Sequence, residues 1–256
     1  MPEPMLEAQG IVKTFGGLRA VDGVSVRVEK GSIHAVIGPN GAGKTTFFNS
    51  VSGYNHPEAG RVTFQGADVT RLPGSRRVHA GMARTFQTPS IFPELTVEEN
   101  VRLGVRAKAG QAFRLGTPTG EAARKVAERV DELLGFVNLQ RLRTRPVAEL
   151  SHGSQRLCEI AMSLSTDPVL VLMDEPMAGL AEAETERIMQ VIRDLHDRLG
   201  LTVLFVEHNM RVVLTLSDRV TVMNRGKLLA EGTPREIADN PEVREAYLGS
   251  EVRAHV

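Results

Sequence analysis

The chain has 256 residues, of which 41% are hydrophobic and 24% are charged. This composition is ordinary for a folded globular protein and excludes a disordered or fibrous chain. Lys and Arg total 31, and Asp and Glu also total 31, so the formal charge is zero and the basic excess typical of nucleic-acid-binding proteins is absent.

The sequence predicts a soluble chain in a reducing compartment. Cys158 is the single cysteine, which excludes an intrachain disulfide. Residues 1–7 contain acids where a signal peptide needs positive charge. No run approaches the ~18 uninterrupted apolar residues that a membrane span needs. We therefore expect any membrane role to come through a partner.

The first half of the chain combines short predicted strands with a few helices. Apolar runs and turn residues predict strands over Leu6–Lys13, Ser25–Glu29, Ile33–Ile37 and Arg61–Phe64. Apolar residues at helical spacing predict a helix from Lys44 to about Val51, one from Thr96 onward, and one over Glu121–Gly135. Residues 107–120 are rich in glycine and threonine and are predicted as a surface loop.

The second half alternates helices with buried strands. Predicted helices cover Ser154–Ser165 and Glu182–Leu199, and predicted strands cover Val169–Met173 and Thr202–Val206. Arg219–Met223 and Lys227–Ala230 form a predicted hairpin, and two short helices follow Pro234 and Pro241. This alternation predicts an α/β fold with a doubly wound parallel sheet, preceded by a small antiparallel sheet.

A glycine-rich loop between a predicted strand and a predicted helix carries the clearest functional signal. Residues 38–45, GPNGAGKT, match the pattern G-x-x-x-x-G-K-[ST], which binds phosphate through backbone N–H groups and a helix N-terminus. A lysine adds a full positive charge, and a hydroxyl is offered to Mg²⁺. The candidate nucleotide-binding residues here are Gly38, Asn40, Gly41, Gly43, Lys44, Thr45 and Thr46, with Thr45 also a candidate metal ligand.

Polar residues also follow two buried predicted strands. Asp174 is suited to hold Mg²⁺, and Glu175 can polarise a water molecule aimed at a γ-phosphate. His208 lies just beyond the next strand, where a parallel sheet displays functional side chains, and Gln87 ends the segment ARTFQ. Each of the four residue types is also common at strand ends without any function. The phosphate loop upstream is what favours the functional interpretation of the acidic pair.

A second anion site is predicted before the helix that starts near Ser154. In the segment 150–155, LSHGSQ, Ser151 and the backbone at Gly153 open a helix N-terminus. This segment resembles the signature motif of the ATP-binding subunits of ABC transporters. The phosphate loop, the acidic strand end and this segment together resemble that family. The resemblance covers essentially the whole chain. It implies a P-loop NTPase fold with an antiparallel β subdomain and an α-helical signature subdomain.

The resemblance also implies domain bounds and roles for the candidate residues. It implies one ABC ATP-binding domain over residues 1–256, with a core at 6–232, a helical subdomain at about 88–165 and a C-terminal extension at 233–256. ATP and Mg²⁺ are the implied cofactors. The implied roles are the catalytic base for Glu175, the switch histidine for His208, a contact to Mg²⁺ and to the membrane domain for Gln87, a metal ligand for Asp174, and adenine stacking for Phe15, which is otherwise a core residue.

A dimer and membrane partners are implied in the same way. Two subunits of this family associate head to tail, so that Ser151 and Gly153 of one subunit close on the ATP held by the other. The implied partners are a second ABC ATPase, identical or different, transmembrane permease subunits and an extracytoplasmic solute-binding protein, without nucleic acid. The implied location is the cytoplasmic face of the plasma membrane.

Four segments narrow the resemblance to a subfamily. Residues 13–21 (KTFGGLRAV), 83–87 (ARTFQ), 206–210 (VEHNM) and 240–249 (NPEVREAYLG) are similar to the branched-chain amino acid importer ATPases. The ATPases of urea and amide importers and of lipopolysaccharide exporters remain alternatives. So do a soluble ABC-type ATPase that acts on DNA or ribosomes and a regulatory nucleotide-binding subunit with weak hydrolysis.

The chain departs from the family pattern at two places. Ser154 stands where the signature motif usually has Gln, and His152 stands where it has a small or aromatic residue. Ala181 replaces the Asn or Asp of the loop that helps couple the two sites. Because the groups of the chemical step are all present, we predict ATP hydrolysis with altered coupling.

Overall fold

The computed structural model describes residues 4–86, 90–108 and 120–251. Within these residues, ten strands form two sheets. The strands are β1 (Leu6–Phe15), β2 (Leu18–Val28), β3 (Ile33–Ile37), β4 (Ala59–Phe64), β5 (Ala67–Asp68), β6 (Met82–Thr85), β7 (Leu170–Asp174), β8 (Thr202–Val206), β9 (Arg219–Asn224) and β10 (Lys227–Gly232).

The same residues form nine α-helices that cover and connect the sheets. They are α1 (Lys44–Ser52), α2 (Gly74–His79), α3 (Val97–Lys108), α4 (Gly120–Phe136), α5 (His152–Leu164), α6 (Glu182–Leu199), α7 (Met210–Leu216), α8 (Pro234–Asp239) and α9 (Pro241–Glu251). Short 3-10 turns at Gln140–Leu142 and Val147–Glu149 precede α5. In the described part of the chain, no helix is both long and apolar enough to cross a membrane.

The smaller sheet is antiparallel, in the order β2-β1-β4-β5. Its second strand begins at Leu18, well before the predicted start at Ser25. Gly23, at φ 72°, is an extra residue between the pairs Ile11–Val24 and Val12–Asp22, and forms a bulge. Because a bulge shifts the alternation of apolar residues by one position, the sequence pattern hides the first half of this strand.

The larger sheet has the order β10-β9-β3-β8-β7-β6, and its strands run parallel except for the hairpin partner β10. The predicted α/β fold is therefore confirmed, and the predictions over Ile33–Ile37, Glu182–Leu199 and Thr202–Val206 coincide with β3, α6 and β8. The sequence analysis did not assign α2, β6 or α7. In β6, the partly buried Arg84 and the buried Thr85 interrupt the apolar pattern of a strand.

The parallel sheet separates two hydrophobic cores. On one face, Ile33 and Ile37 pack with residues of α3, α4, α5 and α6. On the other face, Val36 packs with Phe47 and Phe48 of α1 and with the antiparallel sheet. This layering follows from the period of two in a strand, which sends alternate side chains to opposite faces. It fixes α1 between the two sheets, with its N-terminus at the carboxyl edge of β3.

Candidate nucleotide site

The polar motifs meet at one edge of the parallel sheet. Strands β3, β8 and β7 are adjacent and parallel, so their carboxyl ends lie side by side. The glycine-rich loop follows β3, Glu175 follows β7, and His208 lies two residues after β8. In open α/β sheets this edge is where ligands bind.

The loop of residues 38–45 has a backbone that requires glycine. Gly41 and Gly43 have φ of 78° and 95°, in the left-handed region. A Cβ on Gly43 would lie 2.2 Å from the carbonyl oxygen of Ala20, and one on Gly38 would lie 2.1 Å from that of Met223. The loop is therefore held closely between β2 and β9, with no space for larger residues at these two positions.

Lys44 is the charged group of the loop, and only 6% of the residue is exposed. Its Nζ donates hydrogen bonds of 2.7 Å to the carbonyl oxygen of Gly38 and 3.1 Å to that of Pro39. Burial lowers the pKa of the Lys44 ammonium, while Glu175 and Asp174 oppose this shift. The lysine is thus folded back over the loop, where the dielectric is low and its attraction for phosphate is strong.

An open groove of about 620 Å³ runs along the loop. It is lined by Leu18, Arg19, Ala20, Asn40, Gly41, Ala42, Gly43, Lys44, Thr45, Thr46, Glu175, Arg225 and Gly226. The sequence analysis missed Arg19 and Arg225, which bring two further positive charges to the groove. No sequence motif identifies these two residues, because β2 and the turn between β9 and β10 are distant from the loop in sequence and lie beside it only in the folded chain.

Phe15 is not part of the groove lining. It lies at the end of β1, is half exposed, and has the ammonium nitrogen of Lys13 5.5 Å from its ring centroid. The alternative of a core residue is therefore wrong. Its ring is available to an aromatic partner on the surface, at the turn that joins β1 to the groove residues Leu18 and Arg19.

Asp174 ends β7 and is buried, with 4% of the residue exposed. Its Oδ2 accepts a hydrogen bond of 3.0 Å from Arg84 of β6. Burial raises the pKa of the Asp174 carboxyl, and Arg84 opposes that shift. Arg84 also donates to Asn49 Oδ1 (2.8 Å) and Ser52 Oγ (2.6 Å), so it joins the acidic strand end to the helix that follows the loop.

Sequence reasoning did not single out Arg84. Nothing in the segment around Ala83 marks it, because Thr85 also interrupts the apolar run and its partner Asp174 is 90 residues away in the sequence. The Arg84 side chain is 9% exposed, and a cation so far removed from water needs a carboxylate partner.

Glu175 lines the groove from the turn after β7. It has φ 46°, which is uncommon for a residue with a side chain. Its N–H donates to the carbonyl oxygen of Val206 (3.0 Å), and its own carbonyl oxygen accepts from Ala178 (3.1 Å). Strained backbone of this kind persists where the surrounding structure over-determines it, and it is concentrated at functional sites.

The histidine after β8 lies at the surface. His208 is exposed, and its backbone N–H donates to Oε2 of Glu207 at 3.2 Å. The next residue, Asn209, caps α7 by accepting from the N–H of Arg211 (3.0 Å) and of Val212 (3.5 Å). His208 therefore lies between the end of β8 and the start of α7, and β8 is the neighbour of the strand that Glu175 follows.

The signature segment forms the helix start that the sequence predicts. Ser151 is the N-cap of α5, and its hydroxyl accepts from the N–H of Ser154 at 3.3 Å. The N–H of Gly153 donates to Oε1 of Glu184 at 3.2 Å. Ser151 and Gly153 are not among the residues that line the groove, so within one chain this helix start is separate from the glycine-rich loop.

Of two further predicted residues, the structure describes Ala181 and does not describe Gln87. Ala181 is the N-cap of α6 and makes no side-chain capping bond, as its methyl group requires. Gln87 lies outside the described residues, as do the neighbouring residues 88 and 89.

Two of the candidate metal ligands lie at the same edge of the parallel sheet. Thr45 is the second residue of α1 and lines the groove, and Asp174 is the last residue of β7. Hydroxyl and carboxylate oxygens are the ligands that Mg²⁺ prefers, so the donor chemistry of these two residues fits that ion.

Comparison with known sequences supports the geometry. A family model described as ABC transporter matches residues 21–178, and one described as branched-chain amino acid ATP-binding cassette transporter matches residues 227–253. The chain is 40% identical to BraF of Pseudomonas aeruginosa, a high-affinity branched-chain amino acid transport ATP-binding protein, over 97% of this chain and 99% of BraF. It is 37% identical to LivG of Escherichia coli, which has the same description, with the same coverage.

Solved structures lead to the same family. The ADP conformation of an ATP-binding cassette of an ABC transporter matches with a TM-score of 0.84 and 34% identity, over 96% of this chain and 99% of the other. A dimeric post-hydrolysis cassette bound to ADP and Pi matches with a TM-score of 0.76 and 27% identity, over 90% and 99%. The chain therefore belongs to the ABC transporter family, as one of its nucleotide-binding ATPase proteins.

Proposed function

We propose that this chain hydrolyses ATP to power the uptake of branched-chain or related amino acids through a membrane transporter. The observation that carries the proposal is the groove in which the glycine-rich loop, Lys44 and Glu175 meet at one strand edge. The solute class rests on the relatives, whose names specify branched-chain amino acid transport. The match of residues 227–253 to the branched-chain model supports the same class.

The side chains of the groove divide the chemical step between them. The backbone of the loop, Lys44 and Thr46 bind the phosphates. Glu175 takes a proton from a water molecule as the water oxygen attacks the γ-phosphorus, and the bond from that phosphorus to the β–γ bridging oxygen breaks, giving ADP and phosphate. His208 orients the attacking water from the neighbouring strand end. Thr45, Asp174 and Gln87 would hold Mg²⁺, which supplies positive charge to the phosphate oxygens when it is bound.

A second subunit completes the site in this proposal. Ser151 and the N–H of Gly153 lie outside the groove of their own chain, at a helix N-terminus suited to an anion. A head-to-tail dimer brings them to the γ-phosphate of the other subunit. The dimeric cassette among the solved neighbours supports this arrangement. The second subunit is a copy of this chain or a different ABC ATPase.

Further parts of the proposal concern partners and bounds. The dimer associates with permease subunits at the cytoplasmic face of the membrane, with a solute-binding protein on the far side and no nucleic acid. Gln87 contacts the permease as well as the metal ion, and the half-exposed Phe15 stacks on adenine. The domain is the whole of 1–256, with its core at 6–232, its helical subdomain at about 88–165 and its extension at 233–256.

Measurement of ATP turnover tests the enzymatic part. We expect the purified chain to release phosphate from ATP only when Mg²⁺ is present. Lys44→Ala removes the charge that holds the phosphates, so this variant should lose nucleotide binding and turnover. An absence of Mg²⁺-dependent turnover, with membrane partners present, would overturn the proposal.

The solute is tested in cells rather than on the isolated chain. Deletion of the gene should reduce uptake of radiolabelled leucine and leave uptake of labelled urea unchanged. The opposite pattern would favour a urea importer. Loss of neither, together with a defect in lipopolysaccharide export, would favour the exporter alternative.

A regulatory subunit with weak hydrolysis is the second candidate. The observation in its favour is Ala181, which starts α6 without a side-chain hydrogen bond, where the family has Asn or Asp. ATP binding without turnover above that of Glu175→Gln would support this candidate and contradict the first.

A further inference from the structure

Glu207 is a buried carboxylate to which the proposed hydrolysis gives no role. It stands directly after β8 and directly before His208, and 1% of the residue is exposed. A carboxylate in such a place is costly unless hydrogen-bond donors surround it. The identity of those donors therefore indicates what the residue is for.

Three backbone N–H groups donate to Glu207. Oε1 accepts from Met177 at 3.0 Å, and Oε2 accepts from His208 at 3.2 Å and from Asn209 at 3.5 Å. Burial raises the pKa of this carboxyl, and the three N–H donors oppose the shift. Among the described residues, no Lys or Arg forms a salt bridge with it.

These donors belong to two separate segments of the site. Met177 is two residues after Glu175, in the turn whose backbone has φ 46° at that glutamate. His208 and Asn209 form the turn after the neighbouring strand. One carboxylate thus joins the backbone behind the proposed base to the backbone behind the proposed switch histidine. In addition, the N–H of Glu207 donates to the carbonyl oxygen of Val36 at 3.4 Å, which adds the strand before the phosphate loop.

We propose that Glu207 is a positioning residue for ATP hydrolysis, whose carboxylate fixes the turn after Glu175 against the turn that carries His208. The proposal rests on the proposed function, because it needs both side chains to act on one water molecule. The base and the histidine come from neighbouring strands that are paired up to Asp174 and Val206, and beyond that pair the Glu207 carboxylate connects the two turns that carry them. Misplacement by a fraction of an ångström is sufficient to slow such a step.

Glu207→Gln tests this because it keeps the shape and removes one acceptor. An amide offers a single oxygen, so either Met177 or the His208 pair faces an NH₂ group and loses its bond. We expect kcat for ATP to fall on the order of 10- to 100-fold, with KM within about twofold of the wild type. Affinity for a fluorescent ATP analogue should be unchanged, since the phosphate loop is untouched.

Asp218→Asn is the matched control. Asp218 Oδ2 accepts from the N–H of Ile33 at 2.8 Å, so it also joins two strands through a carboxylate, but at the opposite end of β3. The amide still offers one oxygen to the single N–H that it accepts from, so this variant should keep both its thermal stability and its kcat. Glu207→Asp, which retains the charge and withdraws both oxygens by one methylene, serves as the second variant if the Gln variant does not fold, and it should also lower kcat at unchanged KM.

The outcomes separate this inference from the proposed function. If the wild type turns over ATP and both Glu207 variants keep its kcat, or lose only what Asp218→Asn loses, Glu207 does not position the site. If KM and analogue affinity worsen in step with stability, its role is structural and the inference is wrong. If the wild type has no turnover, the proposed function fails first, and the positioning role fails with it.

Discussion

The N–H of Gly153 donates to Oε1 of Glu184 at 3.2 Å, which places a carboxylate of the chain at the N-terminus of α5. The hydrogen bond to Ser151, followed by that from Gly153, holds the pKa of Glu184 below its usual range. The carboxylate is therefore anionic at neutral pH and bonded to the two groups that the proposed dimer offers to a γ-phosphate. In the proposed dimer, nucleotide on the second subunit therefore has to displace this carboxylate.

Removal of this carboxylate should strengthen the nucleotide-dependent dimer. In Glu184→Gln a neutral amide replaces the carboxylate at the N-terminus of α5. Formation of the dimer then no longer has to break a charge-assisted hydrogen bond, which is worth about 1.5–3 kcal/mol. We expect the ATP concentration at half-maximal dimer formation to fall at least several-fold, measured by light scattering in a Glu175→Gln background. Glu186→Gln, one half-turn further along the same helix, is the control. A weaker or unchanged dimer in Glu184→Gln would show that this carboxylate does not compete with nucleotide.

Glu175→Gln alone should bind ATP and remain closed. The amide cannot accept the proton of the attacking water, so hydrolysis stops while the groove keeps its shape. We expect a stable dimer with two bound ATP molecules in gel filtration with light scattering, and turnover reduced by at least ~100-fold. A variant that is monomeric at saturating ATP would contradict the dimer model, and one with normal turnover would show that Glu175 is not the base.

Restoring the family residue at the start of α6 should change coupling and stability together. Ala181→Asn supplies a side-chain oxygen at an N-cap that has none, which is worth about 1 kcal/mol. We expect a higher thermal midpoint and a steeper dependence of ATPase rate on ATP concentration, because the two sites become better coupled. Ala183→Asn, inside the helix, should not have either effect. A higher midpoint with an unchanged Hill coefficient would refute the coupling role.

We expect His34 to lower the free energy of unfolding in mild acid. It is buried in β3, its Nε2 lies 2.8 Å from Thr221 Oγ1, and burial lowers its pKa to about 4. The unfolded chain binds a proton near pH 6.5, so the free energy of unfolding should decrease by about 3 kcal/mol as the pH falls from about 6.5 to about 4. Urea unfolding at several pH values measures this. His34→Gln should flatten the curve in that window, whereas His56→Gln, at the surface, should not, and parallel curves for His34→Gln and wild type would contradict the assignment.

The sequence predicts those features whose signal lies within one segment. The loop of residues 38–45 is such a case, since its glycines, lysine and flanking strand and helix are contiguous. Helix α6 is another, because its apolar spacing is uninterrupted. Strand β2 was only half predicted, because the bulge at Gly23 breaks the alternation.

What the sequence could not supply are contacts between distant segments. Arg84 with Asp174, and Glu207 with Met177, join residues that only the sheet order brings together. In the sequence alone, Glu207 and Arg84 look like ordinary charged surface residues. The described structure identifies them because the Arg84 side chain is only 9% exposed and Glu207 is buried, and charged groups removed from water need partners.

The close approach of Gly43 to Ala20 and of Gly38 to Met223 ties the conformation of the phosphate loop to the packing of strands β2 and β9. Because β2 and β9 pack against the loop from both sides, its conformational entropy is lost when the protein folds. Little of that entropy cost then remains for nucleotide binding. The affinity for nucleotide therefore depends on this packing. Substitutions that disturb β2 or β9 should lower it, although neither strand contains a phosphate-binding motif.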